Sequence, residues 1–342
     1  MMLILEKKNP FKIPLFKTYP EPTAVLGILY AHNNYCGWLF ENYILIWCYE
    51  GIWDEHYWCD FKFGNELIDY EYCKYIKRSL VRKNKNSNEK NILYFFIDSL
   101  IKGKYIFVSL DMYNIKEWWD GTEKKRHLVH QVVFWGVNNK KRCFYCADFL
   151  RGQYETFELP FELFVKAYRG ASALGEKYIK VWEFRDCNDG LDIEIIYSQL
   201  KDFVSSRDST RINFLNKDDK KNILFGFQAL DRIKRYYLEM INENVDVRPI
   251  HLVKVYSEVM VHRLEFINVS YFKSDIVSFK RIAAQCSKIE LMILKNNYDK
   301  RCGLNKSINT TIDKTIDDLI DSTKKIKSKF ELLFINRKKE GK

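Results

Sequence analysis

Cys36 stands where the polar loop His32-Asn-Asn-Tyr35 runs into the apolar stretch Trp38-Leu-Phe-Glu-Asn-Tyr-Ile-Leu-Ile-Trp47, which puts its thiol at the start of an expected helix. A helix N-terminus carries about half a positive charge and can lower a cysteine pKa from about 8.5 by a unit or more, populating the nucleophilic thiolate. Acyl chemistry on a thiolate also needs an imidazole to carry the proton and an acceptor that fixes the ring. His130 opens His130-Gln-Val-Val-Phe-Trp-Gly136, which reads as a buried strand, and Asp148 closes a second one, Cys143-Phe-Tyr-Cys-Ala-Asp148. The order cysteine, histidine, acid suits a nucleophile, its base and the group that orients the base. His127 competes with His130 for the base, but Val132 and Phe134 share the strand face of His130 and would hold its ring. The oxyanion of a tetrahedral intermediate needs donors, and the amides of Asn33 and Asn34 are at hand beside the backbone N–H of Cys36, while Gly37 leaves room for a substrate backbone. Each residue also has an ordinary reading: a buried cysteine, a core histidine, a turn aspartate, and asparagines that cap a helix or make a turn.

Other chemistries find less support. Cys143 and Cys146 form a Cys-x-x-Cys inside a strand pattern, with no second Cys or His pair at zinc-site spacing, so no metal is expected. There is no Gly-rich phosphate loop, so no nucleotide is implied, and no cofactor is expected. The aromatic clusters Trp53-Asp-Glu-His-Tyr-Trp58 and Trp118-Trp119 would line an apolar pocket or fill a core. The 342 residues, 47% hydrophobic and 16% aromatic, supply material for substantial cores. Nine scattered cysteines suit a reducing compartment, and the N-terminus lacks the basic, apolar and small-residue progression of a signal peptide. No apolar run reaches the roughly 18 residues that span a bilayer, so the expectation is a cytoplasmic protein without a membrane. A net charge of +11 attracts nucleic acid, acidic membranes and acidic proteins alike. Its lysines are spread over surface segments, the densest runs being residues 74–90 and 324–342, which argues against a nucleic-acid groove and leaves an acidic protein as the expected partner.

The elements that must hold these residues follow from periodicity. Residues 6–22 contain four of the six prolines and read as an extended arm, residues 37–48 as the nucleophile's helix, and residues 82–90 as a charged loop. Residues 92–102 read as a short helix, and residues 105–111, 128–137, 142–149 and 155–159 as consecutive strands of an antiparallel sheet, followed by a helix at 162–169 and a strand at 178–184. Beyond Gly190 apolar residues recur at three-and-four spacing over residues 193–205, 224–241, 249–267, 275–297 and 310–334. The expected organisation is α+β: a catalytic domain over residues 1–187 and a mostly helical domain over 188–342.

On these residues the chain resembles the butirosin-biosynthesis acyltransferase group, whose N-terminal domain is similar to a papain or C39-type cysteine peptidase. The resemblance rests on Cys36 at a helix start with Asn42 in that helix, on Val108-Ser-Leu-Asp111, on His130 to Gly136 followed by Asp148, and on Gly226-x-x-Ala229-Leu230 opening a long helix. It implies a papain-like fold in which the Cys helix packs on the sheet bearing His and Asp. It also implies similarity to the amide-forming enzymes of nonribosomal peptide and closthioamide-type assembly, antibiotic biosynthesis in which an acyl group passes from a carrier protein's thioester to an amine. The expected function is therefore a cysteine-dependent acyltransferase with catalytic triad Cys36, His130 and Asp148, whose partners are an acyl or peptidyl carrier protein and an amine acceptor. The alternatives are a cysteine peptidase or amidase with the same site, and a non-catalytic small-molecule-binding protein on the same scaffold.

Overall fold

Proline starts the first helix instead of extending the arm. Pro20 and Pro22 sit in the first turn of α1 (Pro20–Ala31), where a missing N–H costs nothing, so only the residues before it are extended, with β1 at Glu6–Lys8. The computed structural model describes residues 5–33, 35–50, 61–63, 73–83, 88–115, 127–187, 190–209, 223–239, 245–299 and 306–340. Among them the protein is α+β, with nine α-helices and antiparallel sheets.

The chain divides into two compact units that interleave in sequence: Met1–Tyr35 with Tyr70–Asn188, and Cys36–Asp69 with Asp189–Lys342. The segment carrying Cys36 clusters with the helical half and not with the sheet. Its reason is hydrogen bonding. The strand β2 (Ile46–Tyr49) lies antiparallel between β3 (Lys62–Phe63) and a strand far downstream, β10 (Ile223–Phe225).

In the first unit seven strands form one antiparallel sheet. They are β1, β4 (Ile76–Arg82), β5 (Tyr105–Asp111), β6 (Val129–Asn138), β7 (Cys143–Leu150), β8 (Gln153–Pro160) and β9 (Tyr178–Phe184). The path runs β4-β9-β5-β6-β7-β8, and β1 adds to β6. The hairpin between β7 and β8 turns through Arg151 at φ 50° and Gly152 at φ 81°. Three helices pack on this sheet: α1, α3 (Glu89–Ile101), capped by the Asn88 side chain, and α4 (Phe161–Ala173). Phe96 of α3 sits at the centre of the resulting core, its ring 4.5 Å from Phe164, 5.2 Å from Phe134 and 5.9 Å from Phe144.

The second unit contains the helix α2 (Tyr35–Asn42), the small sheet β10-β2-β3, and five longer helices. These are α5 (Ile193–Val204), α6 (Gly226–Glu239), α7 (Arg248–Asn268), α8 (Lys273–Tyr298) and α9 (Lys306–Glu340). The periodicity located all five. It misplaced the end of the helix at Cys36, expected to run to residue 48. The Asn42 amide folds back on the Trp38 carbonyl at 3.0 Å, and the fully buried run Ile44-Leu45-Ile46 enters β2. A short apolar run fits a buried strand as well as a helix, and the pairing with β10 decides between them. Among the described residues no helix is long and apolar enough to cross a membrane.

Candidate functional site

In the sheet unit, register brings the expected base and its acid together. Val133 pairs with Ala147 across β6 and β7, so Val132 faces Asp148 and His130 is the diagonal neighbour on the same face. The His130 Nδ1 lies 2.8 Å from Asp148 Oδ2. The acid is enclosed, with 0% of its side chain exposed, while the imidazole retains 26%. The Phe149 N–H donates to the other carboxylate oxygen, Oδ1, at 2.7 Å, so both oxygens are engaged. Burial pushes the Asp148 carboxyl up to about 6, against the opposing pull of the His130 hydrogen bond, the His130 charge and the Phe149 N–H. At neutral pH it is an ionised acceptor. An Nδ1–H donated to it fixes the tautomer of a neutral ring and leaves the lone pair on Nε2, the arrangement a general base requires. Next to it the fully buried Tyr154 phenol is pushed well above its usual range by desolvation and by the Asp148 charge.

A second pair stands at the same end of the sheet. His127 Nδ1 lies 2.7 Å from Asp111 Oδ2, the Tyr113 N–H donates to Asp111 Oδ1 at 3.1 Å, and the His127 ring stacks on Tyr113 at 4.5 Å. Asp111 is buried, yet the His127 side chain is 62% exposed. The Asp111 carboxyl is seated so tightly against α4 that a Cβ at Gly170 would approach its Oδ2 to 2.5 Å. Sequence reading named His127 only as a competitor of His130 and missed its acid.

His32, four residues before the cysteine, is locked in the sheet unit. Its Nε2 lies 3.2 Å from the Tyr105 hydroxyl, which donates to the Pro10 carbonyl at 2.7 Å, and its ring stacks on Phe184 at 3.6 Å. Burial lowers its pKa, so it stays neutral at physiological pH. Asn33 has φ 59° and closes α1, with its N–H on the Tyr30 carbonyl. Such a left-handed position is one asparagine tolerates, so the residue has a structural task. Asn34 lies outside the described residues, as do both aromatic clusters, residues 53–58 and 118–119.

Cys36 belongs to the helical unit. It is a half-buried thiol in the first turn of α2, with Gly37 beside it, also half-buried. At the other end of this helix the carbonyls of Leu39, Phe40 and Tyr43 accept from the guanidinium of Arg263 on α7. The Glu41 carbonyl accepts from Gln199 on α5, and the Glu41 carboxylate accepts the Asp192 N–H at 2.9 Å. Sequence reading missed Arg263, although a signal existed: it occupies an apolar position of the Tyr256, Met260, Leu264 pattern.

Cys143 and Cys146 are buried core residues whose thiols burial pushes up, desolvation being the first cause for each. Among the described residues no group of three or more His, Cys, Asp or Glu is arranged to hold a metal ion. Comparison of the chain with protein-family models and with curated protein sequences finds no match.

Proposed function

We propose that the protein is a cysteine-dependent acyltransferase of papain-like architecture, in which Cys36 is the nucleophile, His130 its base and Asp148 the group that orients the imidazole. The observation that carries this reading is the His130–Asp148 pair at 2.8 Å with its acid fully enclosed. An ionised carboxylate in so dry a place carries a desolvation cost, which stable folds avoid unless the charge has a use. The first-turn position of Cys36 supports the nucleophile's role.

The reaction balances without metal or nucleotide. The Cys36 thiolate attacks a thioester carbonyl, the tetrahedral intermediate collapses, and the donor thiol leaves with the proton held on the His130 Nε2. An amine then attacks the acyl-enzyme, His130 takes its proton, and the amide departs as the Cys36 thiolate is restored. Exchange of a thioester for an amide is downhill. The carrier of the acyl group is an acidic carrier protein, which the charge of +11 would steer toward the enzyme.

The test is twofold. Alkylation by iodoacetamide, mapped by mass across pH, should single out Cys36 as the fastest thiol below pH 7, and His130→Ala should raise its apparent pKa. Acyl thioesters should then give amide when an amine is added; hydrolysis indifferent to amine points instead to a peptidase or amidase. A Cys36 no more reactive than the other cysteines, with no turnover of thioester or amide, overturns the catalytic reading in favour of a binding protein.

A further inference from the structure

Arg263 is the most buried cation on the helical unit, with 0% exposure, and among the described residues no carboxylate pairs with it. A guanidinium taken out of water without an anion is costly, so its surroundings must supply acceptors. They do so chiefly at one helix end. Nε donates to the Phe40 carbonyl at 2.7 Å, and Nη2 to the Tyr43 carbonyl at 3.0 Å and the Leu39 carbonyl at 3.5 Å, all at the C-terminal end of α2; Nη1 meets the Met260 sulfur at 3.3 Å. Desolvation lowers its pKa only to about 10, so it is charged at neutral pH.

The last carbonyls of a helix have no partner within it and carry the negative half of its dipole. In α2 they are accounted for: Trp38 by the Asn42 amide, Leu39 by the Tyr43 N–H and Arg263, Phe40 by Arg263, and Glu41 by Gln199. Only one of these donors brings a full charge. It stands at the far end of the short helix that begins with Tyr35 and Cys36.

We propose that Arg263 is the positioning residue of the nucleophile: it anchors the C-terminal end of α2, offsets the negative end of the helix dipole, and so leaves the positive end to hold Cys36 as a thiolate. This deepens the acyltransferase reading and rests on Cys36 being its nucleophile. At a rise of about 1.5 Å per residue the guanidinium stands roughly 10 Å from Cys36 along the axis. With an effective dielectric constant of about 20, a unit charge at that distance shifts a thiol by about one pH unit, a tenfold change in thiolate at pH 7. The Tyr256 phenol on the helix of Arg263 is pushed up to about 12, and the Glu41 carboxylate on α2 is turned to the Asp192 N–H.

The experiment is the pH profile of Cys36 alkylation in four full-length proteins, with melting temperatures beside it. Arg263→Met should raise the apparent Cys36 pKa by about one unit. Gln199→Met removes a donor from the same helix end without removing charge, and should leave the pKa within about 0.3 unit. Arg263→Lys keeps the charge but cannot span three carbonyls, so it should melt earlier while its Cys36 pKa stays near that of the wild type. Should Arg263→Met fail to fold, the lysine variant carries the test, and a full-unit rise in it overturns the assignment. Equal shifts in Arg263→Met and Gln199→Met, or none in either, also overturn it while leaving the acyltransferase reading intact. A wild-type Cys36 with an ordinary pKa near 8.5 overturns that reading itself.

Discussion

The two histidine–aspartate pairs of the sheet unit have nearly the same bond length and opposite surroundings. His130 and Asp148 meet at 2.8 Å, His127 and Asp111 at 2.7 Å, and both acids are buried. The rings differ: the His130 side chain is 26% exposed and that of His127 62%. The His127 side chain opens to solvent, which screens electrostatic interactions, whereas His130 stands in a more enclosed place where they are stronger. A hydrogen-bond distance therefore does not identify a catalytic histidine; the degree of enclosure is what separates the two pairs, and it favours His130 as the base of the proposed reaction.

The largest test of this contrast is His130→Ala, expected to slow acylation of Cys36 by about 10²–10⁴-fold in single-turnover assays. Asp148→Asn should lower turnover by roughly 10²-fold or more, because an amide stabilises neither the imidazolium nor the required tautomer. It should do so without lowering the melting temperature at pH 7. The reason lies in the sign of the linkage: a carboxyl raised from its ordinary value near 4 to about 6 adds stability below pH 4 and loses it as pH rises through 6, so the ionised acid is a net cost at neutrality. A large fall in melting temperature would show that the pair is held for stability instead. The pH–rate profile of the wild type should bend downward below about pH 6 as Asp148 takes up a proton, by up to tenfold per unit, and a profile flat to pH 5 would remove the acid from the mechanism. Gly170→Ala forces a methyl against the Asp111 carboxyl and should cost about 1–3 kcal/mol in chemical unfolding with turnover almost unchanged. His127→Ala, smallest of all, should alter turnover by less than about threefold; losses that equal those of His130→Ala would erase the distinction between the two pairs.

The strands that carry His130 and Asp148 were legible because they are strongly apolar, and β5 and β9 have the bounds their patterns gave. The five long helices were legible from their three-and-four spacing. The first helix was not, because prolines that begin a helix and prolines that forbid one look alike until the chain around them is seen. Strand β4 lies in the basic run 74–90 and was not read as a strand: its alternation is faint, with Leu80 exposed among Lys77, Arg78 and Arg82, as suits the last strand of a sheet. In the candidate site, Cys36, His130 and Asp148 follow from residue type and local pattern. The acid behind His127 and the guanidinium behind α2 do not, because both depend on which distant segments pack together.

That dependence has a consequence for the order in which the molecule is made. The donor that holds the Phe40 carbonyl follows it by 223 residues, and the strand that pairs with Trp47 is Phe225 and its neighbours. At about 5–20 residues per second, a ribosome needs on the order of 10–45 s to supply Arg263 after the Cys36 segment has been synthesised. During that interval the helix end lacks its one charged donor. On the role proposed for Arg263, the positive end of α2 would reach its full effect on Cys36 only when the seventh helix arrives.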